Sequence, residues 1–206
     1  MINFEILKNL NIEMTPDIEN NILKWEKLFI KYNSHTNLMS KNDISVLFEK
    51  HVYDSLAINL WQDFQNKKSM LDVGCGGGFP SVILAIFYKD KKIIANDSRI
   101  KKINFIKEIK DTLKLDNLEI LYSRIEEVKP LNVDLITSRA VGRILEIYEL
   151  SKKHIKNNGN FVFYKAKTTQ EEIVEFQKKY KGFKFDIIPY NLPLKENFER
   201  KLVIML

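Results

Sequence analysis

The residues best suited to chemistry lie in LDVGCGGGFP, residues 71–80, which holds four of the seven glycines of the 206-residue chain. Asp72 stands just before Gly74, Gly76 and Gly78. Glycines have no Cβ, so a loop of this kind between a strand and a helix lets the backbone pack against a cofactor. In the alternative interpretation, the glycines form only a tight turn and Asp72 caps a backbone amide.

The spacing of the glycines distinguishes between two cofactors that bind such loops, a dinucleotide and S-adenosylmethionine. A dinucleotide loop reads G-x-G-x-x-G, but counting from Gly74 gives Gly76 and then Phe79, so the third glycine is missing. The pattern here is D-x-G-x-G-x-G. A carboxylate at Asp72 lies unfavourably near a pyrophosphate, whereas S-adenosylmethionine carries an ammonium and a sulfonium at its methionine end. The loop therefore favours S-adenosylmethionine.

Three further polar residues stand at the ends of predicted strands. Asp97 ends KIIAND at about the distance where a carboxylate takes ribose hydroxyls, although it also has the position of a helix N-cap. Arg139 follows VDLITS and is expected to face a ligand, with a salt bridge to Asp72 or Glu126 as the alternative. Lys165, after FVFY, has the same position, although the lysine stem often only lies along a strand end.

The elements that position these residues change in character near residue 67. Before it, NILKWEKLFIKY and ISVLFEKHVYDSLAINLWQDF space apolar residues three and four apart, which predicts amphipathic helices. After it, β-rich runs alternate with helical stretches, which predicts a doubly wound, seven-stranded, mostly parallel sheet with its ligand crevice at the carboxyl ends of the central strands. Pro80 is predicted to open the first helix of this region. The predicted strands are SMLDVG, KIIAND, LEILYS, VDLITS, NGNFVFYKA, FKFDIIPY and ERKLVIML.

Composition limits the classes of protein. The length predicts one domain, 1–206, with an N-terminal helical segment, 1–66, and a Rossmann-like core, 67–206. Cys75 is the only cysteine, which excludes an intramolecular disulfide and suits the reducing cytoplasm. The sequence has no signal peptide and no membrane span, and we expect a cytoplasmic monomer without a metal. A net charge of +6 favours phosphate-bearing partners.

Several segments together resemble one family. HVYDSL, DVGCGGGFP, NDSRIKK, SRIEEV and ITSRAV agree in order and spacing with the RsmG (GidB) family, which methylates N7 of a guanine in small-subunit (16S) ribosomal RNA. The resemblance implies the fold of class I S-adenosylmethionine-dependent methyltransferases, and small-subunit ribosomal RNA or a ribosomal assembly intermediate as partner. It implies that Gly74 and Phe79 contact the methyl donor, that Asp97 holds its ribose, and that Ile125 and Glu126 lie along its adenine, with Arg139 as the remaining cofactor-side candidate. The glycine loop itself adds the other expected cofactor-binding residues, namely Asp72, Gly76 and Gly78.

The acceptor atom that the resemblance implies bears on His51 and Asp54. These residues lie one helical turn apart and share a helix face. Guanine N7 has a free lone pair and no proton to lose, so methyl transfer to it needs no general base, and no catalytic residue in that sense is predicted. Arg139 and Lys165 are expected to position the reactants and are also candidates for contact with the RNA substrate. His51 and Asp54 are expected to pack helices over the glycine loop or to contact RNA.

Other functions remain open from the sequence. A dinucleotide-dependent oxidoreductase is disfavoured by the glycine spacing, and a noncatalytic RNA-binding module by the retained Asp72, glycines and Asp97. A methyltransferase that acts on another RNA or on a small molecule is the closest alternative, because a fold does not choose its substrate.

Overall fold

The computed structural model describes residues 2–36 and 38–206, and in these ranges seven strands form one sheet. The strand order is β3-β2-β1-β4-β5-β7-β6, and β7 runs antiparallel to both of its neighbours. The predicted fold class is confirmed. The strands are β1 (Ser69–Val73), β2 (Lys92–Asp97), β3 (Leu118–Tyr122), β4 (Val133–Arg139), β5 (Ile155–Lys165), β6 (Phe185–Leu192) and β7 (Phe198–Met205).

Helices cover both faces of the sheet. On one face lie α1 (Pro16–Thr36), α2 (Lys41–Ile44), α3 (Tyr53–Leu56), α4 (Ser81–Phe87) and α5 (Ile100–Leu113), and on the other lie α6 (Ile144–Ser151) and α7 (Thr169–Lys179). Short helical pieces lie before and between these elements: Phe4–Leu10, Ala57–Leu60, Gln62–Asn66, Ile125–Glu127 and Lys152–His154 are 3₁₀-helical, and Leu47–Val52 is π-helical.

The second helical stretch predicted from the sequence, residues 44–64, is not one straight helix. The stretch from residue 47 to residue 66 is a succession of short helical pieces because its apolar side chains point in several directions. Phe48, Val52, Trp61 and Phe64 are all buried, and one straight helix has a single face to bury. The broken path brings these side chains into the core.

The N-terminal helices and the sheet share one hydrophobic cluster. Trp25 and Phe29 of α1 place their rings 5.7 and 5.4 Å from the ring of Phe79, at the end of the glycine loop. Phe29 also lies 5.4 Å from Phe105 of α5. The single domain remains a prediction, and this shared core supports it. Within the described ranges, no helix combines the length and apolar character required to cross a bilayer.

Candidate active site

A crevice of about 370 Å³ opens at the carboxyl ends of β1, β2 and β4. Four of the predicted residues line it, namely Gly74, Asp97, Ile125 and Glu126. Parallel strands end at the same edge of the sheet, which is why residues far apart in sequence meet here. The remaining lining residues are Val73, Asn96, Ser98, Arg99, Ser123, Arg124, Ala140, Val141, Glu146, Ile147 and Leu150.

The glycine loop takes backbone conformations that glycine favours. Gly74 has a φ of +73°, and a Cβ built on it would lie 2.6 Å from a methyl carbon of Val141. Gly78 has a φ of +91°, and a Cβ there would lie 2.5 Å from Val82. Gly76 also has a positive φ, and its N–H donates to the Asp97 carboxylate at 3.1 Å. The loop is therefore fastened to the end of β2 through its backbone.

Asp72 lies beneath the loop with no exposed surface. Its carboxylate accepts the Ser81 amide at 3.2 Å and the Thr137 hydroxyl at 3.5 Å. Burial raises its pKa to about 6, although the hydrogen bonds from Ser81 oppose the shift. Helix α4 begins at Ser81, one residue after the predicted start at Pro80. In this conformation Asp72 acts on the crevice through the loop and the start of α4.

Asp97 ends β2 with both carboxylate oxygens engaged. Besides the Gly76 amide, it accepts the Arg99 amide and two guanidinium hydrogen bonds from the same arginine, each at 2.9 Å. Burial alone would raise the pKa of Asp97, but the bonds from Arg99 hold it below its ordinary value. The Arg99 side chain is 63% exposed, so it can leave the carboxylate without being extracted from the core.

Two residues that sequence reasoning missed hold the turn at Ile125 and Glu126. His154 is fully buried, and its Nε2 lies 3.0 Å from the Ile125 carbonyl oxygen. Lys153 donates to the Glu126 carbonyl at 2.6 Å. Two consecutive residues that follow α6 thus hold two consecutive carbonyl groups of the crevice wall in place. Nothing in the local sequence signals this contact, because it joins segments almost thirty residues apart.

Arg139, at the end of β4, pairs with Asp54 rather than with either of the two partners considered from the sequence. Its guanidinium donates to Asp54 at 2.9 Å and to Nδ1 of His51 at 3.1 Å, and it lies over the Phe79 ring at 4.8 Å. The Arg139 side chain is only 10% exposed. The structure thus brings together four predicted residues, His51, Asp54, Phe79 and Arg139, beside the crevice.

Asp54 has two further partners that were not predicted. Arg200 of β7 donates to it through Nε at 3.0 Å and through a terminal nitrogen at 3.2 Å, and the Tyr190 hydroxyl of β6 donates at 2.5 Å. Burial would raise the pKa of Asp54, but Arg139 and Arg200 hold it below its ordinary value. One sequence signal was available: Arg200 precedes the buried Leu202 by two residues, so strand alternation points it to the same face.

His51 is a neutral imidazole at this junction. Burial, with the nearby Arg139 charge, lowers its pKa to about 4. Because Nδ1 accepts from Arg139, the proton of the neutral ring is on Nε2. The ring packs 5.3 Å from the ring of Phe79. Lys165 lies apart from these residues and outside the crevice lining, where it contacts Glu172 and the Gly142 carbonyl.

Comparison with known sequences identifies close relatives. The sequence profile of the GidB family, described as rRNA small subunit methyltransferase G, matches residues 18–203. A Staphylococcus aureus (strain JH9) protein named ribosomal RNA small subunit methyltransferase G is 34% identical over 175 residues, which cover 83% of this chain and 73% of that protein. A protein of the same name from Aster yellows witches'-broom phytoplasma (strain AYWB) is 33% identical and covers 95% of this chain and 94% of its own.

Solved structures with this fold are more distant in sequence. A SAM-dependent methyltransferase from Aquifex aeolicus superposes with a TM-score of 0.60 at 18% identity, covering 84% of this chain and 97% of that one. M. jannaschii TYW2 in complex with AdoMet superposes with a TM-score of 0.52 at 16% identity, covering 68% and 67%. At these identities the likeness shows the fold, which is that of class I methyltransferases.

Proposed function

The chain belongs to the GidB family of rRNA small subunit methyltransferases, and from this premise we propose that it transfers a methyl group from S-adenosylmethionine to N7 of a guanine in small-subunit ribosomal RNA. The observation that carries the proposal is the crevice, where the glycine loop, a carboxylate at the end of the second strand and the turn after the third strand meet. These are the elements that the family resemblance assigns to the methyl donor.

The residues present fit this cofactor. Gly74 lines the crevice without a side chain, and a Cβ there would collide with Val141. Asp97 offers carboxylate oxygens for the ribose hydroxyls once Arg99 moves aside, and Ile125 and Glu126 form the wall along the adenine. When bound, S-adenosylmethionine supplies an electrophilic methyl group on a sulfonium. Asp72 supports the site from below by holding the start of α4 against the loop.

The side chains near the crevice suit a reaction driven by positioning. Guanine N7 needs no base, and the depressed pKa of His51 leaves it neutral and bonded to Arg139 rather than poised near neutrality to take up a proton. Arg139 is fixed by Asp54 and by the Phe79 face, so its orientation is set before a substrate arrives. Such preorganisation lowers the entropic cost of aligning the reactants.

The surface and composition support an RNA partner. The net charge is +6, and the exposed side chains of Arg99 and Arg124 lie on the crevice wall, where phosphates can reach them. RNA affinity is expected to fall as salt rises, with a slope set by the number of neutralised phosphates. The proposal includes a monomer, and it places the protein in the cytoplasm because the lone cysteine suits a reducing compartment.

The decisive experiment maps N7-methylguanine in small-subunit ribosomal RNA from cells with and without the gene. We expect one guanine to lose its methyl group without the gene and to regain it when the wild-type protein is supplied, but not when Asp97→Ala is supplied. Calorimetry with S-adenosylhomocysteine and with NAD accompanies the mapping. An unchanged methylation map would remove the RNA substrate, and saturable NAD binding without a response to S-adenosylhomocysteine would remove the enzyme class.

A further inference from the structure

The loop that follows β4, residues 140–143, needs support from outside the crevice. Ala140 has a φ of +58°, a conformation that a side chain makes unfavourable. The methyl carbons of Val141 lie 2.6 and 2.8 Å from the position that a Cβ on Gly74 would take, so this loop packs directly against the glycine loop. Ala140 and Val141 both line the crevice. A strained loop persists only where neighbouring groups hold its backbone in place.

A buried ion pair behind the loop supplies this support. Lys165, at the end of β5, donates to the Gly142 carbonyl at 2.7 Å and pairs with Glu172 of α7 at 2.7 Å. Glu172 also accepts the amide of Ile144, the first residue of α6, at 2.9 Å. The two charged side chains are only 13% and 6% exposed. The pair therefore grips the loop on its carboxyl-terminal side, at Gly142 and at Ile144.

Stability alone is a poor explanation for this pair. Removing two charges from water costs free energy that their attraction often does not recover, and apolar replacements of such pairs are frequently as stable. What the pair adds is a fixed position for the Gly142 carbonyl and the Ile144 amide. Glu172 accepts hydrogen bonds from Lys165, from the Ile144 amide and from the Thr168 hydroxyl, and although burial would raise its pKa, these bonds hold the pKa below the ordinary value.

We propose that Glu172 is a positioning residue for cofactor binding, which holds Ala140 and Val141 in the crevice wall through Lys165 and the Ile144 amide. The inference rests on the proposed function, since it names a residue that acts on the same site. Lys165 then acts from behind the loop, as the partner of Glu172, and does not touch RNA.

The structure offers a matched control one helical turn away. Glu175 of α7 pairs with Arg143, so it joins the same helix to the same loop, but these side chains are 41% and 49% exposed and are screened by water. Glu172→Gln and Glu175→Gln each remove one charge from α7. We expect Glu172→Gln to weaken S-adenosylhomocysteine binding about tenfold, because a charge-assisted anchor of the loop is lost. Glu175→Gln should bind within about twofold of the wild type.

A double variant separates positioning from folding. Lys165→Met with Glu172→Met replaces the pair by apolar side chains, so the melting temperature should stay close to that of the wild type while cofactor binding stays weak. Binding is measured by calorimetry at a temperature where all variants are folded. Wild-type affinity in Glu172→Gln or in the double variant would overturn the inference, as would equal losses in Glu172→Gln and Glu175→Gln.

The readout also distinguishes this inference from the proposed function. Calorimetry uses S-adenosylhomocysteine alone, so it tests Glu172 whether or not small-subunit RNA is the methyl acceptor. A wild-type protein that binds the ligand but methylates no ribosomal RNA would contradict the proposed substrate and leave the Glu172 comparison intact. A wild-type protein that does not bind the ligand would overturn both.

Discussion

Two regions meet at the carboxyl ends of β1 and β4, and they are built differently. The crevice presents the backbone of Gly74 and the carboxylate of Asp97, whose arginine partner is exposed. Beside the crevice, Asp54 is bonded to both Arg139 and Arg200, and the three side chains of this network are nearly sealed from water. Asp97 can therefore exchange Arg99 for a ligand, whereas Asp54 keeps its two buried arginines. Arg139 belongs to the network while lying beside the crevice.

The difference also explains what could be predicted from the sequence. Gly74 follows β1 directly and Asp97 ends β2, so periodicity and the glycine pattern were enough to place these two residues at one sheet edge. The network depends on pairing across long separations: Arg139 is 85 residues from Asp54, and Arg200 is 146 residues from it. A single sequence carries the position of Arg139 but not the identity of its partner.

The same reasoning applies to the fold. All seven strands and the doubly wound arrangement are confirmed, because alternating β-rich and helical stretches leave few other topologies. The amphipathic helices predicted between Ile44 and Phe64 are present as several short pieces, since apolar spacing reports that side chains are buried but not how the chain bends to bury them on several sides. His154 and Glu172 were missed because each supports the site through a backbone group.

The largest expected effect is on the sealed network. Asp54→Ala leaves Arg139 and Arg200 buried without their common carboxylate, which should lower the free energy of unfolding by about 3–5 kcal/mol. Urea denaturation measures the loss. The control is Asp43→Ala, whose partner Lys50 is about one-third exposed, and which should cost less than about 1 kcal/mol. Equal losses in the two variants would contradict the contrast between network and surface.

Arg139 tests whether the network also serves the reaction. Arg139→Ala leaves Asp54 paired with Arg200, so the protein should fold, while methyl transfer should fall tenfold or more because a fixed donor beside the crevice is lost. Arg139→Lys should recover little, since lysine lacks the planar fork. Arg200→Ala is the comparison: it removes the other guanidinium from the same carboxylate. Similar activity in Arg139→Ala and Arg200→Ala would mean that Arg139 has only a structural role.

Arg99 probes how readily the crevice exchanges partners. Its guanidinium holds two of the hydrogen bonds on Asp97 that a ribose would replace. Because the side chain is exposed, releasing it costs little, and Arg99→Ala should tighten S-adenosylhomocysteine binding by only about two- to threefold. Asp97→Asn should weaken it about tenfold. Weaker binding in Arg99→Ala, measured by the same calorimetry, would show that the guanidinium contacts the ligand instead of competing with it.

His51→Gln should have the smallest effect at neutral pH, because a glutamine oxygen can still accept from Arg139. Burial lowers the pKa of His51 to about 4, with Arg139 and Lys50 adding to the shift and Asp43 and Asp54 opposing it. The rate of single-turnover methylation in His51→Gln should therefore stay within about twofold of the wild-type rate at every pH between about 5.5 and 8, because groups other than His51 titrate equally in both proteins. A rate that falls with a pKa near 6 in the wild type alone would make His51 a base.

The wild type and His51→Gln should differ in how their free energy of unfolding depends on pH below neutrality. Between about pH 6.5 and 4 the unfolded chain protonates His51 and the folded protein does not, so the free energy of unfolding of the wild type falls with pH by up to about 3 kcal/mol more than that of His51→Gln. Asp72 has the opposite sign, because its raised pKa makes the folded state bind the proton first, but it is present in both proteins and cancels in the difference. Urea denaturation of both proteins across this range measures that difference. If it does not vary with pH, His51 is not held neutral by burial, and the N-terminal side of the junction is as open to water as the crevice.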